Sequence, residues 1–131
     1  MVSDGVDVSR GFESTFQSLD LERAITEAQR RAVAVYAFFA PTVGASGNGN
    51  LIPNGQSSLQ KLSEQTGGHA YFQGFSAPTS FDPFIRELSA ALDRQIALTY
   101  LSTHPKKGFH RIKIISLTPD VELNYPAGYR R

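Results

Sequence analysis

Apolar residues recur along this chain in two different rhythms, and the change between them divides it. Leu21, Ala24, Ile25, Ala28 and Ala32 follow at three- and four-residue steps, the spacing of one helix face. Ser18 or Asp20 stands ahead of them as a cap. Residues 33–40 then carry no polar group except the Tyr36 hydroxyl. A run of that length, rich in Val and aromatics, predicts a strand buried on both faces of a parallel sheet, ended by Pro41. Ser57 and Gln60 have capping-box spacing and predict the start of a second helix, with Leu59 and Leu62 on its buried side. Gly67 predicts its left-handed stop. His69-Ala-Tyr-Phe72 predicts a short strand. Asp82-Pro83 predicts a third helix, with Asp as cap, Pro in the first turn, and Ile85, Leu88 and Leu92 as its apolar stripe.

The period falls to two in the last third. Ile96, Leu98 and Tyr100 alternate with Ala97, Thr99 and Leu101, and residues 111–118 are again β-rich. Ile114-Ile115 breaks the alternation and predicts a bulge or two-sided burial there. The polar turn His104-Pro-Lys-Lys-Gly108 between the two segments predicts an antiparallel hairpin, and residues 121–125 a short edge strand. Two stretches lack periodicity. Residues 8–18 are polar and read as a loop. Residues 42–56 hold four glycines, three asparagines and a proline, and predict a long flexible loop at the carboxyl edge of the sheet. The fold class expected is α/β: a mostly parallel sheet with flanking helices and an antiparallel C-terminal hairpin, in one domain spanning 1–131.

Composition narrows function mainly by exclusion. The chain has 131 residues, enough for one core. Its net charge of +1 gives no reason to expect a nucleic-acid partner. It has no cysteine, so disulfide scaffolds, thiolate zinc sites and cysteine nucleophiles are excluded. No stretch approaches the ~18 apolar residues of a membrane span. No basic region followed by an apolar run opens the chain, so no signal peptide is expected.

Candidate chemistry is sparse. No Gly-x-Ser-x-Gly elbow anchors a hydrolase triad. The glycines at 44, 47 and 49 lack a following Lys-Ser/Thr and do not make a phosphate loop. His69, His104 and His110 fall at a strand start, a turn and a strand start, with His104 and His110 able to face each other across the hairpin; a solvated pair is the preferred reading. Lys106, Lys107, His110, Arg111 and Lys113 cluster near Phe109, and Arg130-Arg131 end the sequence beside Tyr129. Basic residues at a hairpin tip and edge strand deter edge-to-edge pairing, which is preferred here to an anionic-surface patch. Asp4 and Asp7 are carboxylates three residues apart; read alone, they suit a turn in which Asp side chains bond nearby amides.

Met1-Val2-Ser3-Asp4-Gly5 reads as the end of a buried strand running into an acidic loop. Together with Ala32-Val33-Ala34-Val35-Tyr36, Leu62-Ser63-Glu64-Gln65-Thr66-Gly67-Gly68, Leu98-Thr99-Tyr100, His110-Arg111-Ile112-Lys113-Ile114 and Pro126-Ala127-Gly128-Tyr129, it resembles the C-terminal half of a von Willebrand factor type A domain. The likeness is to the A-domain-related family common in acidobacterial genomes. That resemblance implies a partial Rossmann-like fold entered at its fourth strand. It also implies a non-enzymatic module that binds a protein partner at the carboxyl edge of the sheet. Ser3, Asp4 and Asp7 would then be the remnant of a metal loop, with Asp4 mapping onto the metal site. The family's Asp-x-Ser-x-Ser loop and second-loop threonine are missing, so the adhesion site is incomplete. No cofactor is expected, and Mg²⁺ or Ca²⁺ only if the missing loops are supplied. Self-association into a homodimer is expected, because the absent neighbour of the first strand would leave apolar surface uncovered. The alternative is a fragment of a larger A-type protein with no separate activity, its missing strands supplied by another chain.

Overall fold

The computed structural model describes residues 1–6, 19–41 and 51–131. In chain order the described elements are β1 (Val2–Ser3), α1 (Leu19–Arg30), β2 (Ala37–Phe39), α2 (Leu51–Thr66), β3 (Ala70–Tyr71), α3 (Asp82–Asp93), β4 (Phe109–Arg111) and β5 (Gly128–Arg130). The class is α/β. The first three strands form a parallel sheet in the order β1-β2-β3, and β4 and β5 form a separate antiparallel pair. Parallel neighbours need crossovers, and α1 and α2 supply them.

β2 is the centre of the larger sheet. Its register sets Phe38 opposite Val2 on one side and opposite Tyr71 on the other. Side chains alternate across a strand, so the two faces of the sheet bury different sets. On one face Ala37, Phe39, Leu59 and Ala70 form the buried cluster, with Ile52 and Phe72 against it. That face is covered by α2, which in turn packs on α1. Gln29 of α1 crosses to α2, where its amide donates to the Gln65 carbonyl at 3.0 Å. On the opposite face Phe38 stacks on Tyr71 at 5.2 Å, and Phe81 and Phe84 at the start of α3 close over them.

α2 ends where its composition says it should. Gly67 takes φ +81°, and the Gly68 amide bonds back to the Ser63 carbonyl at 2.9 Å. This is the left-handed stop that a residue without Cβ makes cheap. Thr66 seals the same end: its hydroxyl donates to the Leu62 carbonyl and accepts the Val35 amide.

Several expectations need correction. The apolar run 33–40 is a strand only over Ala37–Phe39, and Val33 is 49% exposed rather than buried. The turn of φ +53° at Ala32 follows α1 directly, and the chain needs the next residues to reach the sheet. α2 begins at Leu51, not Ser57, so residues 51–56 are helix and only 42–50 of the proposed loop lie outside the described residues. Pro53 is tolerated because it occupies the first turn, where no amide donor is needed. α3 starts with Asp82 as its first helical residue, with Phe81 in the cap position. Its apolar stripe does not bury: no residue of α3 is buried, and Ile85 is 53% exposed. The hairpin between 96–101 and 111–118 is not formed, nor is an edge strand at 121–125. β4 pairs instead with the C-terminal β5, His110 opposite Tyr129. Gly128 makes that pairing possible, since a Cβ there would collide with the Phe109 ring and the His110 carbonyl.

Candidate functional site

The residues expected to carry binding lie where β1 leaves the sheet. Ser3 closes the strand and its Oγ accepts the Gly5 amide at 3.1 Å. Asp4 Oδ1 accepts the Val6 amide at 3.1 Å. These are the local side-chain-to-backbone turns that Ser and Asp favour. Gly5 takes φ +70°, and its backbone lies against Gly55 in the early part of α2. Because β1 and β2 are parallel, Pro41 leaves β2 at the same edge. Ser3, Asp4 and the start of α2 are therefore brought together; Asp7 and residues 42–50 lie outside the described residues.

A hard divalent cation needs several oxygens converging on one point. Among the described residues no three His, Cys, Asp or Glu side chains are placed to hold a metal. Among the described residues that follow β1 directly, Asp4 is the one carboxylate, and one of its oxygens accepts the Val6 amide. The described residues alone do not assemble the ligand set of a metal-ion-dependent adhesion site.

The basic end of the chain is assembled by β4 and β5. The His104 and His110 rings lie 5.2 Å apart, and His110 stacks on Tyr129 at 5.0 Å. The His110 Nε2 is 2.9 Å from the Lys106 carbonyl, and the Tyr129 hydroxyl is bonded to that of Ser102. The Arg130 guanidinium sits 5.5 Å from the Phe109 ring centre, and Arg131 donates to the His104 carbonyl. The two histidine rings are thus close together, although the hairpin expected to bring them there is not formed.

One surface had no signal in the sequence. An open groove of about 420 Å³ runs along β3 between α2 and α3. Gln60 and Glu64 form one wall, Phe84 and Glu87 the other, and His69 and Tyr71 the floor. Burial first, then the Glu87 carboxylate and then Tyr36 push the Tyr71 phenol above its ordinary 10.0. Glu64 and Glu87 lie far apart in sequence on helices that cover opposite faces, so only the fold reveals that they flank one edge.

Among the described residues no helix is long and apolar enough to cross a membrane. No family model, curated protein or solved structure matches the chain.

Proposed function

We propose that this chain is a non-enzymatic protein-interaction module of von Willebrand factor A type, with an incomplete metal-dependent adhesion site. Its partner docks along β1 and the adjoining carboxyl edge at Ser3 and Asp4, and a second copy is one such partner. The observation that carries this reading is that, among the described residues, β1 has a strand neighbour on one side only. Phe38 donates to the Met1 carbonyl and Ala40 to the Ser3 carbonyl, which turns the Val2 amide and carbonyl away from β2. Val2 is also 61% exposed. An apolar edge strand with outward backbone groups is a template for strand addition.

Sedimentation over a concentration series tests this, with Val2→Pro beside the parent chain. Proline removes the outward donor and leaves the two bonds to β2 in place. The parent is expected to gain mass with concentration and the variant to stay a single chain. A parent chain that stays monomeric and unfolds cooperatively overturns the reading.

A second reading is favoured by one observation. Residues 96–101 and 112–117 belong to none of the described strands and leave Ile96 87% and Leu117 98% exposed. We infer from this that strands of another chain complete the domain and that this chain has no separate activity. A monomer without a cooperative transition would favour it over the first.

A further inference from the structure

We propose that the groove along β3 is a second strand-addition site, and that its occupant is the basic segment 111–117 of another copy of this chain. The inference does not rest on the reading given for β1, because it concerns the opposite edge of the sheet.

The backbone of β3 is available for pairing. Among the described residues it is hydrogen-bonded to β2 alone. Ala37 donates to the His69 carbonyl at 3.0 Å, and the alternation of a parallel ladder turns the Ala70 amide and carbonyl toward the groove. The two walls differ in chemistry. The α2 wall is polar and acidic: Glu64 sits there, its carboxylate accepting from the Gln60 amide at 2.7 Å. The α3 wall is aromatic: Phe84 stands 5.6 Å from Tyr71, with Glu87 beside it. The lining therefore carries two carboxylates and no Lys or Arg. A strand entering it needs cations toward α2 and apolar groups toward α3, at alternate positions.

Residues 111–114 have that alternation, before Ile114-Ile115 interrupts it. Arg111 and Lys113 fall on one parity, and Ile112 and Ile114 on the other. There is no acidic residue between Asp93 and Asp120, so nothing in the segment opposes the field of Glu64 and Glu87. Only the part after Ile112 is unpaired within its own chain; Arg111 and Ile112 are paired along one side, to the C-terminal strand. The pairing of β4 with the C-terminal strand runs out at the bond from Ile112 to the Ala127 carbonyl. Residues 113–117 make no backbone-to-backbone bond to the described residues, and Ile115 and Leu117 are exposed. Seated beside β3, Arg111 and Lys113 meet Glu64 while Ile112 and Ile114 meet Phe84 and Tyr71. The contact joins two different surfaces, so a closed dimer needs it twice, once in each direction.

The test titrates a synthetic peptide of residues 110–118 into the full chain and follows amide resonances. The expected result is saturable shifts concentrated at residues 69–72, with affinity falling as salt rises. Glu64→Lys with Glu87→Lys in the chain should weaken binding at least tenfold. Arg111→Glu with Lys113→Glu in the peptide should do the same, and that change requires no folding of the variant. Combining the reversed peptide with the reversed chain should restore most of the affinity. Absence of binding at millimolar peptide overturns the proposal. So do shifts that map to β1 instead of β3, which would leave the β1 reading standing, and so does binding indifferent to all four charges.

Discussion

At the scale of single residues, the structure explains choices that composition alone misreads. Gly55 looks like a helix breaker, and in an exposed helix Gly→Ala would stabilise by roughly 1 kcal/mol. Here it is buried inside α2, and a Cβ would run into the Asp4 carbonyl oxygen. Two backbones in contact cannot give way as a flexible side chain can. Overpacking of this kind costs about 1–3 kcal/mol, so steric cost outweighs propensity. Gly55→Ala is expected to lower the denaturant midpoint, and an unchanged or raised midpoint would show that the Asp4 turn does not pack there. Tyr71 supports a prediction about pH. Its phenol is buried and its pKa is raised. Below the ordinary value of 10.0 both folded and unfolded chains hold the proton, and its contribution to stability is intact. Above it the unfolded chain ionises first, binds fewer protons than the folded one, and stability falls as pH climbs through the folded value. Tyr71→Phe should flatten the stability profile above pH 10 relative to the parent, measured by urea unfolding at a series of alkaline pH values.

Elements were legible in the sequence in proportion to how locally they are determined. α1 and α3 lie close to where periodicity and start signals put them, and Gly67 stops α2 as expected, because caps and faces are properties of a few consecutive residues. The start of α2 was missed: Pro53, Asn54 and Gly55 read as a loop, whereas Pro53 suits a first turn and Gly55 answers to a contact with Asp4 far away in sequence. Strand pairing was the least legible. The alternation at 96–101 is real, yet only register with a distant partner makes a strand, and β4 takes β5 instead. The proposed binding edge was legible through Ser3 and Asp4, which do sit at the end of β1. The groove was not, because Glu64 and Glu87 are brought to the same edge only through packing. The same logic ranks the elements energetically. Leu59 of α2 is buried against Phe39 and Ala70, where surrounding backbone from β2 and β3 limits collapse. Leu59→Ala should cost about 2–5 kcal/mol. The solvent-facing ion pairs of α1, such as Arg31 with Glu27 at 2.7 Å, should each contribute well under about 1 kcal/mol. Urea midpoints of Leu59→Ala and Glu27→Ala compared side by side decide whether α2 packing or the α1 charges dominate.

Across the whole molecule, stability should be unevenly distributed, and amide exchange gives the gradient a direct reading. β2 is the one described strand with ladder partners on both sides, and Ala37 and Phe39 are shielded by α2. Opening it requires breaking bonds to β1 and β3 together, so its amides should exchange only through the largest opening the chain makes. The β4–β5 pair is smaller and is held to the rest through α1 and through Asn124, whose amide donates to the Gly68 carbonyl at 3.0 Å. It should open at lower cost. Residues 96–101 and 113–117 make no ladder, bury little and should be the fastest of the described residues. The order expected is therefore β2 slowest, β4 and β5 intermediate, and those two segments fastest. Concentration then becomes the informative variable. If strand addition covers the sheet edges, raising protein concentration should slow exchange at Val2 and Ala70, whose amides face away from β2, and within 113–117. Ala37 and Phe38 are already paired within one chain and should change far less. Protection that is uniform along the chain, or edge amides insensitive to concentration, would mean that both edges stay solvated and that neither is a site of association.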